Sequence, residues 1–320
     1  MSSKNSISHY REYAKKLILQ SVWTSLFFLP QMEIGDSVVE LVFLGCGGGR
    51  YQTVDQHFKT GGFRLHAGAK IHVDPGPGAL LLSHQHDLDP LALDCVVTTH
   101  CHPDHYSDVE VLIEAMTQHM TRKRGVLIGS ESVLKGAGRL GPAISRFHQG
   151  KPEKVVCFRA GESYELGDLK LEATPTQHGD PTAFGLKIHS QEGIVGYTND
   201  TQYFDELAKH FKDSRVLIAN VTRPLAMRIP WHLCSDDLIA LLKQVKPELA
   251  VMVHMGMLFL KHPPEKEATR IEAATGIKTV LGHAGLRVNL DKEMKFKRPT
   301  KQPSSETFVR LPPEPTVRAE

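Results

Sequence analysis

Residues 98–108 read Thr98-Thr99-His100-Cys101-His102-Pro103-Asp104-His105-Tyr106-Ser107-Asp108. Four side chains able to bind a metal, His100, His102, Asp104 and His105, fall within six positions. Neutral imidazoles and carboxylates are the donors that zinc and similar borderline divalent cations prefer. Crowding them at the end of an apolar strand is costly unless a cation joins them. The preceding run, Cys95-Val96-Val97-Thr98-Thr99, is short and β-branched and reads as a buried strand. Side chains i and i+2 of an extended segment point the same way, so His100 and His102 grip one ion from one side. Pro103 stops strand pairing. Asp104 and His105 then sit on a turn and serve a neighbouring ion. The nearby His84-Gln85-His86 also offers an i, i+2 pair, but it lies in a polar stretch with Asp87 and Asp89. It reads as a solvated loop.

The cluster resembles the His-x-His-x-Asp-His motif of the metallo-β-lactamase superfamily. Three further segments follow in that family's order: residues 174–180 around His178, residues 196–201 around Asp200, and residues 281–288 around His283. Asn199 stands where glycine is commoner in the family. The resemblance spans residues 38–290. It implies a four-layer αββα sandwich of the α/β class, with two ions at one edge between the sheets. Carried over residue by residue, it places one ion on His100, His102 and His178, the other on Asp104, His105 and His283, and Asp200 between them. Zinc is the expected cofactor, with manganese or ferrous iron as alternatives. Residues 39–49 look like the family's first strand and glycine turn, and residues 71–78 like its Asp-Pro-Gly segment. Asp74 would then orient a ligand from behind. The glycine run Gly47-Gly48-Gly49 is not a phosphate cradle, because no Lys-Ser/Thr follows it. Backbone turning explains it better.

Two ions side by side imply a hydrolase with an activated hydroxide, which Asp104 would aim. His254 ends the apolar run Leu249-Ala250-Val251-Met252-Val253. It resembles the strand-end histidine of the superfamily's phosphodiesterase branch, which includes the tRNA 3′-processing endonucleases. It is the candidate to act on the phosphate or the leaving oxygen. His232 also resembles a histidine of that branch, with a less defined role. Two features depart from the tRNA-processing group: its His-Glu-Ala-Thr segment is replaced by Ile218-Ala219-Asn220-Val221-Thr222, and no long Gly/Pro-rich arm is evident. The expected substrate is a phosphodiester, either RNA or a small molecule. Alternatives on the same fold are a thioester, lactone or amide hydrolase, a diiron oxidoreductase, or a non-catalytic binding module.

The chain has 320 residues, 41% of them hydrophobic, and a net charge of +2. That charge predicts no strong general attraction to nucleic acid or membrane. Five cysteines without a Cys-x-x-Cys pair argue against a disulfide framework and suit a reducing cytoplasm. Cys101 should point away from the ions and serve packing. Residues 15–30 are too short and polar to span a bilayer. The expected organisation is an N-terminal helical extension (1–36) packing on the domain or on a second subunit as a homodimer, a hydrolase domain (37–290), and a Pro/Lys/Glu-rich tail (291–320), disordered or extended. Helices are expected over 107–120, 202–211, 235–245 and 264–274, with Ser235 as an N-cap. Hairpins are expected over 163–172 and 183–198.

Overall fold

A computed structural model of the protein describes residues 39–291 and 294–297. The expected N-terminal helix and the tail beyond residue 297 lie outside the described residues.

Strands β1 (Glu40–Phe43), β2 (Phe63–Ala67) and β3 (Ala69–Val73) form an antiparallel meander. β4 (Cys95–Thr98), β5 (Val126–Gly129) and β6 (Lys154–Cys157) extend it in parallel. Parallel neighbours need crossovers. Here α2 (Ala79–Gln85) links β3 to β4, α3 (Pro103–Tyr106) and α4 (Val109–Met116) link β4 to β5, and α5 (Glu131–Leu134) and α6 (Arg146–Gln149) link β5 to β6. A short helix, α1 (Gly49–Asp55), follows β1. The second sheet begins with the antiparallel strands β7 (Ser163–Leu166), β8 (Leu169–Pro175), β9 (Phe184–Ser190) and β10 (Gly193–Tyr197). It continues in parallel with β11 (Ser214–Arg223), β13 (Leu249–Val253) and β14 (Lys278–Leu281). The crossovers are α7 (Leu207–His210), α8 (Ser235–Val245) and α9 (Pro264–Thr275), and the short β12 (Leu233–Cys234) pairs with β11. The chain then returns to the first sheet, where β15 (Arg287–Asn289) and β16 (Lys295–Lys297) join β1.

The inner faces of both sheets share one core. Leu41, Leu65, Ile71 and Val97 come from the first sheet, and Leu171, Leu186, Val195 and Val216 from the second. Alternation along β4 builds the outer layer too: Cys95 and Val97 face that core, while Val96 packs with Val109, Leu112, Ile113 and Met116 of α4. Across the molecule, Leu238, Leu241, Leu242 and Val245 give α8 an apolar stripe at helical spacing. The result is the αββα sandwich. Burial on both faces explains why Leu249–Val253 is apolar at every position.

Some elements differ from the sequence expectation. The helix over 107–120 contracts to α4: it begins only at Val109, after Asp108, whose carboxylate accepts the Leu80 N–H at 3.0 Å. It ends early, where Gln118, His119 and Met120 take left-handed φ values of 55°, 56° and 59°. The helix over 202–211 contracts to α7. Ser235 is the first helical residue of α8, not its cap. Cys234 caps, and the Asp237 carboxylate reaches back to the Cys234 N–H at 3.1 Å. His84-Gln85-His86 is the end of α2 rather than a loop, with His84 exposed.

Candidate metal centre

The strands that carry the candidate ligands run in one direction within each sheet, so their C-terminal ends meet at one edge of the sandwich. His100 follows β4, His178 follows β8, Asp200 follows β10, and His254 follows β13. Asp74, Asn199 and His254 turn the chain there with left-handed φ values of 49°, 56° and 60°. Such backbone is uncommon outside glycine and clusters at functional sites. Asn199 explains the departure from glycine: asparagine tolerates this region, and its Nδ2 donates to the Phe184 carbonyl at 2.9 Å.

Among the described residues, three groups bring one donor atom each within 4.8 Å of one another: His100, His102, His178 and Asp200; Asp104, His105 and His254; and Asp200, His232 and His254. Asp200 is the hub. Its Oδ2 lies 3.1 Å from His254 Nε2, 3.5 Å from His232 Nε2, 3.7 Å from His105 Nε2, 3.8 Å from His100 Nε2 and 4.0 Å from His178 Nε2. Its Oδ1 is held by Asn220 Nδ2 at 2.6 Å. Asp104 Oδ2 faces the same space, 3.1 Å from His254 Nε2 and 3.5 Å from His105 Nε2. It also accepts the Gly49 N–H at 2.6 Å.

The outward ring nitrogens are tied to protein. His105 Nδ1 donates to Asp74 Oδ2 at 3.0 Å, and His178 Nδ1 donates to the Trp231 carbonyl at 3.1 Å. His100 Nδ1 lies 3.2 Å from Thr99 Oγ1, which donates to Asp74, and His254 Nδ1 lies 2.9 Å from Thr222 Oγ1. A proton on each Nδ1 leaves the Nε2 lone pair aimed inward, as a metal ligand requires. His102 is turned the other way and offers Nδ1, 3.0 Å from His100 Nε2 and 3.1 Å from His178 Nε2.

Burial and charge pull the groups apart. Burial drives His100 well below its ordinary value and lowers His178 to about 4, against the attraction of Asp200. Burial also opposes protonation of His254, but Asp200 and Asp104 outweigh it and raise this ring to about 10. His105 is raised against burial by Asp104, Asp74 and Asp200. Although burial favours their neutral forms, Asp104 and Asp200 are both held below the usual carboxylate range, chiefly by His105 and His254. The centre is therefore a buried anionic pocket demanding positive charge. The donor set fits divalent cations. His105 Nε2 is buried without a hydrogen-bond partner and points at two carboxylates. A nitrogen so placed needs a positive charge between it and the carboxylates, either its own proton or a cation.

Residues 69–255, more than half of the chain, match the family described as the beta-lactamase superfamily domain. The chain belongs to the metallo-β-lactamase superfamily. Over 255 residues it is 44% identical to "Uncharacterized protein MJ1374" of Methanocaldococcus jannaschii, covering 79% of this chain and 95% of that one. Its fold is similar to that of the metallo-β-lactamase fold protein YhfI from Bacillus subtilis, with a TM-score of 0.64 at 18% identity over 79% of this chain and 99% of that one. It is also similar to that of a diphosphatase from the PhnP family, with a TM-score of 0.58 at 19% identity over 79% and 97% of the two chains.

Within this superfamily frame, the sequence-expected His100, His102, Asp104, His105, His178 and Asp200 converge. His283 does not join them. It follows β14, the edge strand, and its ring faces Glu265 Oε1 at 3.8 Å and Cys46 Sγ at 3.7 Å. Strands lie about 4.8 Å apart. β13 ends one strand nearer the cluster, and His254 at its end groups with Asp104 and His105. Asp74 holds His105 from behind, and Cys101 packs among apolar residues. The departing segment 218–222 supplies two supports that sequence reasoning missed, Asn220 on Asp200 and Thr222 on His254. Both are polar, at alternate positions of an apolar strand, and that was the available signal. The glycine turn does more than turn: a Cβ on Gly48 would lie 2.1 Å from the His254 ring. The Trp231 carbonyl left no mark in the sequence.

Proposed function

We propose that this protein is a metal-dependent hydrolase of phosphodiesters with two ion sites, one on His100, His102 and His178, the other on Asp104, His105 and His254, with Asp200 shared. The observation that carries the reading is the single Asp200 oxygen facing five imidazole nitrogens within 4.0 Å. The nitrogen-rich donor set favours zinc over iron. Bound divalent ions would supply an acidified water and charge to polarise a phosphoryl oxygen.

The chain's own groups supply the rest. Asp104 is anchored by the Gly49 N–H and accepts a hydrogen bond from the attacking water. His232 is the candidate acid. Its side chain is 20% exposed, its Nε2 lies 3.5 Å from Asp200, and it borders an open cleft. With its Nδ1 held by the Pro230 carbonyl at 3.0 Å, a proton on Nε2 can pass to the leaving oxygen. This transfers to His232 the role that the sequence suggested for His254, whose 4% exposed side chain is enclosed between carboxylates. One fold neighbour is a diphosphatase, which agrees with phosphate chemistry.

The test is a substrate panel on zinc-loaded protein: bis-p-nitrophenyl phosphate and cyclic nucleotides against acyl thioesters and lactones. Turnover of the phosphodiesters is expected. Turnover of acyl substrates alone would refute the assignment and favour the thioester or lactone hydrolase. We place the chain in the cytoplasm, on its unpaired cysteines. Among the described residues no helix is long and apolar enough to cross a membrane.

A further inference from the structure

Beside His232 lies a cleft of about 520 Å³, within the range of small-molecule sites. One wall is the segment that follows Asp200, with Gln202 and Tyr203. The other is the loop between β11 and β12, with Arg228, Ile229 and Pro230. Both walls are chain neighbours of site residues, so their placement is fixed by the centre itself. Gln202 Oε1 accepts the Trp231 N–H at 3.3 Å and ties one wall to the other.

The two kinds of lining group call for different parts of a ligand. Tyr203, Ile229 and Pro230 offer flat and apolar surface. Arg228 offers a fixed cation. Its Nε and Nη2 both donate to Asp237 Oδ1, at 2.8 and 2.6 Å, while its side chain stays 63% exposed. Asp237 is buried, and its other oxygen is taken by the N–H of Cys234. The carboxylate therefore holds the guanidinium in place without covering it. A planar, weakly hydrated guanidinium held this way is suited to pair with a phosphate.

We propose that this cleft seats a nucleoside monophosphate unit of the substrate, its base against Tyr203, Ile229 and Pro230 and its phosphate toward Arg228. The inference rests on the phosphodiesterase reading and narrows its substrate to nucleotide esters, whether a free small molecule or a piece of RNA.

The test is calorimetric binding of adenosine 5′-monophosphate, adenosine, inorganic phosphate and a short single-stranded RNA to the zinc-loaded full chain. Adenosine monophosphate should bind more tightly than adenosine or phosphate. Arg228→Gln should weaken it by about tenfold or more, the cost of a lost charged hydrogen bond. Ile229→Asp, which leaves the Arg228–Asp237 pair in place, should weaken it as well and guards against a folding defect in the first variant. RNA binding that exceeds adenosine monophosphate and shares the Arg228 dependence assigns the unit to a polymer; equal binding assigns a small molecule. Adenosine monophosphate binding no better than phosphate, or indifferent to both substitutions, would overturn the cleft assignment. Bis-p-nitrophenyl phosphate turnover by the unaltered protein separates the two ideas. Turnover without cleft-dependent binding sinks this inference alone, and binding without turnover sinks the phosphodiesterase reading alone.

Discussion

His254 and His283 are both strand-end histidines, yet their surroundings ask different things of them. His254 Nε2 lies 3.1 Å from each of two buried carboxylates, whereas the His283 side chain is 30% exposed beside Glu265. His254→Ala should therefore lower bound zinc from two ions per chain toward one, and His283→Ala should leave both, measured by elemental analysis after dialysis. The reverse pattern would restore the family-implied ligand set. His232 makes a separate prediction. His232→Ala should cut kcat on bis-p-nitrophenyl phosphate by about 10²–10⁴-fold, the usual worth of a general acid, with zinc content unchanged. A loss of zinc instead would make His232 a ligand.

At the scale of elements, the site depends on strands that end in unusual turns. Asn199 links β10 to Asp200 in the left-handed region, and its side chain bonds to the Phe184 carbonyl. Asn199→Gly should cost about 1 kcal/mol, the lost side-chain hydrogen bond alone, since glycine adopts that backbone freely. Asn199→Val should cost about 1–2 kcal/mol beyond that in urea denaturation, because its Cβ meets the carbonyl oxygen in the left-handed region. Equal stability of the two variants would show that the turn relaxes. The same logic explains the legible and illegible elements. β13 was readable because a uniformly apolar run matches a buried strand. The 107–120 helix begins later than its sequence suggested, at Val109, and the contact that holds Asp108 outside it comes from Leu80, 28 positions away.

For the molecule as a whole, a histidine buried in its neutral form sets an acid limit. His72 lies fully buried on β3, its Nε2 donating to the Gly61 carbonyl at 2.8 Å. Burial, with Arg64 nearby, lowers it from its ordinary 6.5 to about 3. The unfolded chain takes up this proton first, so the contribution is intact above pH 6.5 and is lost as pH falls toward 3. Stability should decline by about 1.4 kcal/mol per pH unit for this group across that window. His72→Gln should flatten the slope by one proton in denaturation series at several pH values; an unchanged slope would exclude His72 as the cause. Metal removal acts on the whole fold as well. Free zinc at a hundred times its Kd would add about 2.7 kcal/mol per site, so chelation should lower Tm and zinc return should restore it. A Tm indifferent to chelation would contradict a site built on a buried anionic cluster.

His100, His102, Asp104 and His105 were legible because they are adjacent in the chain, and alternation along a strand followed by a proline turn dictates where they point. The sandwich was implied by the family resemblance, and the uniformly apolar Leu249–Val253 agrees with a strand buried on both faces. The histidine that groups with Asp104 and His105 was decided only by tertiary structure. Two histidines end neighbouring strands, and local sequence cannot tell which strand is central and which lies at the edge. Asn220, Thr222, the Trp231 carbonyl and the close pass of Gly48 beneath His254 belong to the same class. Each acts on a partner 20 to more than 200 positions away. Sheet order and strand register, rather than any local pattern, bring those pairs together.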